Sequence, residues 1–314
     1  MKKIDELLKA LNDACISKLK NGVNPWVCPW EGTPWPKNGH SGHVYSGMNI
    51  LMLWFAAQEH NYRSRNWFTH NQLKQISKAQ NISLDWRNQS PTMIMRVDKF
   101  LPKGSEDNED NYRLYHKVFW VLNASQVKGL PKEYYNQTKT IVHTSEAAQT
   151  FIARVMDNIP IYFKEMDRQA CYIPVSDCIN VAKVEHFKTV DAFYATVFHE
   201  LGHATGHKSR LNRTLSTDYS TKEYMFEELI AEITSSFLCS HFGIKGDLQH
   251  ADYICHYINR MKEDKQIIMS AAKQAQQAFN YLIETADKTA LHDLKHNPDY
   301  PIMTITDLRN GTYD

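Results

Sequence analysis

The sequence predicts an α+β chain in two parts, and three observations carry that expectation. Up to about residue 140 helical and strand-like periodicities are mixed, whereas beyond it the patterns are mostly helical with one short group of strands. Charge divides at the same place: residues 1–140 carry 19 Lys and Arg against 12 Asp and Glu, a balance of +7, and the remaining 174 residues carry 17 against 23, a balance of −6. All seven tryptophans fall between Trp26 and Trp120. An α+β domain over 1–140 and a mostly helical domain with a small sheet over 141–314 follow, each long enough to bury a core of its own.

Residues 4–20 place Ile4, Leu7, Leu8, Leu11, Ile16 and Leu19 at helical spacing, and Asn21-Gly22 closes the run. Residues 24–39 are too rich in proline and glycine for a regular helix or a central strand, yet they hold Trp26, Trp30 and Trp35. Those rings suit either packing onto the domain core or a platform on which bases stack, with Lys37, His40 and His43 near the phosphates. Residues 48–59 are almost wholly apolar and read as a buried helix. Residues 62–70 again interleave cations with aromatics, among them Arg63, Arg65 and Trp67, and Thr69 is placed to cap a helix over 71–80. Strand-like runs at 92–101 and 113–122 flank the acidic, polar stretch 103–111, a hairpin loop. A linker is expected at 135–143, a helix over 145–158, and short strands within 170–184. Strands in that position form a sheet whose edge can accept an extended peptide. Helices over 189–206, with Thr189 as N-cap and Gly206 at its end, over 221–242, and over 250–286 complete the chain.

One stretch carries a specific chemistry. His199-Glu200-Leu201-Gly202-His203 lies within the helix at 189–206. Residues four apart stack on one helical face, so His199 and His203 can hold one metal ion while Glu200 stands beside it as a base. In the following helix Glu228 and Glu232 are also four apart, so one can supply a third ligand and the other can orient a ligating histidine. The six cysteines are scattered without a C-x-x-C pair and read as reduced thiols. No run of eighteen apolar residues and no signal-peptide core are present, which predicts a cytoplasmic protein without a membrane span.

The order of segments resembles the ArdC-type antirestriction proteins of plasmids and phages. The likeness rests on Pro25-Trp26 and Pro29-Trp30, the run from Tyr45 to Trp54, Trp67-Phe68-Thr69, the run from Val118 to Asn123, the block from Tyr194 through His203 to Arg213, and the block from Glu227 to Glu232. It implies an N-terminal domain that binds single-stranded DNA and a C-terminal zincin-like metallopeptidase domain related to Spartan-type proteases. Trp26, Trp30, Trp35, Lys37, Tyr45, Arg63, Arg65 and Trp67 are then the residues expected to meet DNA, and a protein or peptide is the expected second partner. Residues 83–91 depart from the family in lacking a turn rich in glycine and lysine.

A three-histidine zincin spacing would continue from Gly206 to a histidine at 209, where this chain has Ser209. His207, Glu227 and Glu232 remain alternatives, but the Glu228 and Glu232 spacing looks like the gluzincin arrangement, with Glu228 as ligand. It implies Zn2+ held by His199, His203 and Glu228, with Glu232 hydrogen-bonded to a ligand histidine and Glu200 as general base. The second expectation, of another class, is a protein that coats single-stranded DNA and whose metal site is structural or vestigial.

Overall fold

The computed structural model describes residues 2–29, 35–135, 144–165, 170–245, 254–264 and 266–288. The chain forms two compact units, one of residues 1–7 and 35–138, the other of residues 8–34 and 139–314. The opening helix α1 (Lys2–Lys20) buries Leu8, Leu11, Cys15, Ile16 and Leu19, as its spacing predicts. Within the second unit its Asn12 amide donates to the carbonyls of Met261 and Asp264, at 3.0 and 3.1 Å.

The first unit is built on a four-stranded sheet of β1 (Lys37–Asn38), β2 (Asn66–Thr69), β3 (Thr92–Phe100) and β4 (Arg113–Asn123), in the order β1-β2-β4-β3. Between β1 and β2 the chain makes the expected apolar helix α2 (Met48–His60), which buries Ile50, Leu51, Leu53 and Trp54. Thr69 ends β2 and caps α3 (His70–Gln80) in a reciprocal box. Its hydroxyl accepts from the Gln72 N–H at 3.3 Å, and the Gln72 side chain accepts from the Thr69 N–H at 2.9 Å. Phe68, Leu73, Ile76, Leu122 and Val127 form the core under this corner. Gly39 is required there, because a Cβ on it would lie 2.1 Å from the Phe68 ring.

The predicted hairpin is present, with β3 and β4 paired antiparallel from Thr92–Val121 to Phe100–Arg113. Only Val121, Leu122 and Asn123 of β4 also pair with β2. At the outer edge of β3 the Asn49 side chain from α2 bonds both backbone groups of Met95. It donates to the carbonyl at 2.7 Å and accepts from the N–H at 2.9 Å. A short helix, α4 (Lys132–Tyr135), follows, and most of the expected linker lies outside the described residues.

The second unit combines α5 (Thr144–Met156) with a three-stranded sheet of β5 (Ile161–Lys164), β6 (Ala170–Ile173) and β7 (Cys178–Ala182). Its order is β5-β7-β6, with β5 parallel and β6 antiparallel to β7, so β6 is an edge strand. Then come α6 (Val190–Ala204), α7 (Lys222–Phe242), α8 (Ile254–Glu263) and α9 (Ile267–Lys288). Helix α6 is apolar on most sides and correspondingly central, with Val197, Phe198 and Leu201 wholly buried. The rings of Phe151, Phe198 and Phe242 tie α5, α6 and α7 together at centroid distances of 4.9–5.9 Å.

The helical region expected over 250–286 is made of two helices, α8 and α9. Asp264 interrupts it by accepting the Gln266 N–H on its side chain at 2.8 Å, a local bond that competes with helix continuation. Among the described residues no helix is long and apolar enough to cross a membrane.

Candidate metal centre

Two helix caps set the rotation of the two helices that build the site. The Thr189 hydroxyl accepts from the Ala192 N–H at 3.1 Å at the start of α6, and the Thr221 hydroxyl accepts from the Tyr224 N–H at 3.2 Å at the start of α7. Where the helices meet, Gly202 faces Ala231 so closely that a Cβ on the glycine would lie 2.9 Å from the Ala231 Cα. This close approach brings Glu228 and Glu232 of α7 against His199 and His203 of α6. The expected end of α6 at Gly206 comes two residues earlier. It closes at Ala204, where Arg213 donates to the Gly202 carbonyl and to the Thr205 hydroxyl, each at 2.8 Å.

Three donors converge. His199 Nε2 and His203 Nε2 are 3.0 Å apart, and each lies 3.4 Å from one oxygen of Glu228. A tetrahedral ion with bonds of about 2.0–2.2 Å separates its ligand atoms by roughly 3.3–3.5 Å, so the spacing suits a small dication. His199, His203 and Glu228 form one group among the described residues able to hold a metal ion.

The electrostatics agree with a positive charge at this centre. Burial alone would lower the His203 pKa, but Glu228 and Glu227 reverse the sign and hold it well above the usual histidine range. Burial would likewise raise Glu228, yet the two histidines keep its carboxylate well below its ordinary value.

Carboxylates also sit behind both histidines. Glu232 Oε1 is 3.8 Å from His199 Nδ1, and Glu227 Oε1 is 3.3 Å from His203 Nδ1. Glu227 is gripped from the other side by Arg213, at 2.6 and 2.8 Å. His207 faces away from the donor group, bonding the Ser209 hydroxyl at 2.7 Å and approaching Asp177 at 3.4 Å.

Glu200 is buried beside the three donors, and its Oε2 accepts the backbone N–H of Tyr172 on β6 at 2.7 Å. The Tyr172 hydroxyl is engaged elsewhere, donating to Asp177 at 2.8 Å, and Asp177 is in turn paired with Arg210. A cavity of about 240 Å3 opens over His199, Glu200 and His203, with Cys171 and Tyr172 of β6 on one wall and Leu215 and Tyr219 on another. Sequence reasoning missed Arg213, Tyr172 and the close packing at Gly202. None of the three repeats at a period that would betray it.

The residues expected to meet DNA are distributed differently. Trp26 and Trp67 are wholly buried and Tyr45 nearly so, which corrects their expected role, because a sealed ring offers no face to a base. Trp35 is half-buried and stacks on Trp54 with centroids 6.1 Å apart, and Trp30 lies outside the described residues. Arg63 is exposed, whereas Lys37, on β1, and Arg65, just before β2, are half-buried. Burial and then the Arg65 charge lower the Lys37 pKa, as two like charges held close require.

Comparison with known proteins places this geometry in context. Residues 5–113 match the N-terminal domain of the anti-restriction factor ArdC, and residues 146–274 match a zincin-like metallopeptidase domain. The crystal structure of the antirestriction ArdC protein from the R388 plasmid, metal-free, is 31% identical. It superposes with a TM-score of 0.74 over 90% of this chain and 99% of that one. Its Mn(II)-bound form is 32% identical with a TM-score of 0.72 over the same shares. An uncharacterized protein of Sinorhizobium fredii, y4eC, is 28% identical over 88% of this chain and 91% of its own length. The DNA primase TraC of Escherichia coli is 33% identical over 87% of this chain, which spans only 26% of that larger protein.

Proposed function

Because this chain belongs to the ArdC-type antirestriction proteins, with the N-terminal ArdC domain and a zincin-like metallopeptidase domain, we propose that it is a DNA-tethered peptidase. The first unit binds single-stranded DNA, and the second, which holds the metal site, cleaves proteins on or near it, protecting incoming mobile-element DNA. The observation that carries the peptidase reading is the junction of Glu200 with β6. A carboxylate not needed as a ligand is fixed by an edge strand beside three converged ligands, under an open cavity. A purely structural site needs no such base.

In this reading His199, His203 and Glu228 would hold zinc, which a donor set of two imidazole nitrogens and one carboxylate oxygen suits. The Mn(II) form of the R388 protein is consistent with a divalent ion at such a centre. Zinc supplies Lewis acidity, polarising the scissile carbonyl and acidifying water towards neutral pH. Glu200 takes the proton of the attacking water on Oε1 and passes it to the leaving amine, while Tyr172 steadies Oε2. Glu232 and Glu227 fix the orientation of His199 and His203. The edge of β6 offers its backbone to an extended substrate.

For DNA, Lys37 and Arg65 are cations held side by side, with Arg63 nearby in sequence, and they suit a phosphate. The likeness to a stretch of a DNA primase fits a chain that works at DNA.

The test is proteolysis of a basic test protein by the full chain loaded with zinc, with and without single-stranded DNA and chelator. Cleavage that needs DNA and is lost with chelator supports the reading. The Glu200→Ala variant should keep stoichiometric zinc and lose cleavage by about 100-fold or more; a variant that still cleaves removes Glu200 from its role. If the wild-type protein binds DNA and zinc but cleaves nothing, it is a strand-coating protein with a structural metal site.

A further inference from the structure

The first unit exposes aromatic rings on its β3–β4 hairpin. Phe100 of β3 and Tyr115 of β4 are 47% and 41% exposed. Because β2 reaches β4 only at its last three residues, residues 96–100 and 113–117 form a two-stranded ribbon beyond the four-stranded part of the sheet. A ribbon of that kind has no core of its own in which to hide rings.

The register shows how the ribbon is decorated. Paired residues share a face, so Phe119, Lys117, Tyr115 and Arg113 of β4 stand in line opposite Ile94, Arg96, Asp98 and Phe100 of β3. Aromatic and cationic side chains therefore alternate along β4. The Arg96 guanidinium and the Lys117 ammonium lie 5.4 and 5.5 Å from the Phe119 ring centroid, and the Phe100 and Tyr115 rings meet edge to face at 5.7 Å. Asp98, the carboxylate on this face, is taken up by Arg96 through two contacts of 2.6 Å.

Resting on the reading of this unit as a single-strand binder, we infer that the ribbon face of Tyr115, Phe100, Lys117 and Arg113 is a contact surface for single-stranded nucleic acid. The rings offer stacking surfaces that any base can use, and the cations between them meet the backbone. Charge also sets the limit of the surface. The ribbon residues hold Arg96, Lys99, Arg113 and Lys117 against Asp98, whereas the loop beyond holds Glu106, Asp107, Glu109 and Asp110 against Lys103. Phosphates are repelled from that tip, so the strand crosses the ribbon and does not run out along it.

The experiment is fluorescence anisotropy of a labelled oligothymidylate with the full chain across a salt series. Phe100→Ala with Tyr115→Ala should weaken binding roughly five- to one-hundred-fold at fixed salt and leave the salt slope unchanged. Arg113→Gln with Lys117→Gln should reduce the log–log salt slope by about 1.4, two phosphate contacts at ~0.7 each. Lys74→Gln with Lys78→Gln, which removes the same charge from exposed positions of α3, should leave the slope as in wild type. All these side chains are exposed, and circular dichroism checks that the fold survives.

The inference is overturned if the wild type binds and both ribbon variants bind equally well. It is overturned too if the α3 variant loses as much slope as the ribbon variant, or if the ribbon variants change only the sedimenting mass, which would make the face a contact between copies. No binding by the wild type itself would remove the single-strand reading along with it.

Discussion

Arg213 shows how far the candidate metal centre extends beyond His199, His203 and Glu228. It grips Glu227 with two bonds, reaches the Gly202 carbonyl and the Thr205 hydroxyl, and is almost fully buried. Removing it strands a buried carboxylate behind His203. Arg213→Ala should destabilise the fold by about 3–5 kcal/mol and weaken zinc binding by roughly 10–100-fold, read by urea unfolding and by competition with a chromogenic chelator. The thiols give a second prediction. Burial pushes Cys15 and Cys239 up to about 12, so at pH 8 almost none of either is thiolate. Iodoacetamide with mass mapping should label half-buried Cys28 and Cys171 well before those two, and the order should vanish in urea. His199, Glu200 and His203 were legible because a spacing of four on a helix fixes their relation without knowledge of the fold. Glu228 was legible for the same reason, once paired with Glu232. Arg213 was not, because it lies in the irregular segment between α6 and α7 and meets Glu227 only after the chain has folded back.

Among elements, the crossing of α6 and α7 decides whether a centre exists at all. Gly202 within the motif leaves room for Ala231, and that contact sets the reach of Glu228. Gly202→Ala should force the helices apart, destabilise the protein by about 1–3 kcal/mol and lower zinc affinity more than its loss of stability explains. Thermal unfolding with and without zinc measures both effects. The helices themselves could be read from their apolar spacing and from Thr69 and Thr189, each of which caps as its position suggests. Strand β2 escaped, since its four residues look like part of a basic and aromatic run. The break at Asp264 escaped as well, because helical spacing continues on both sides of it. The edge position of β6 depends on pairing with β7 and β5, and no local pattern reveals it.

For the whole molecule, the opposite charge of the two halves predicts that DNA affinity and zinc are separable. Stripping zinc with a chelator should leave the dissociation constant for an oligonucleotide within about twofold while abolishing cleavage; a parallel loss would show that the metal centre supports the DNA surface. The division of charge was visible from composition, whereas the burial of Trp26 and Trp67 was not, because a ring in an irregular segment looks alike whether it faces solvent or core. The outer edge of β3 bears on how such a protein behaves when crowded. An open strand edge invites pairing with a neighbouring chain. The Asn49 amide answers both backbone groups of Met95 as a peptide unit would, so a foreign strand arriving there finds the position taken. A single asparagine thereby serves as a guard against aggregation, and its loss would show first in shelf life and expression yield.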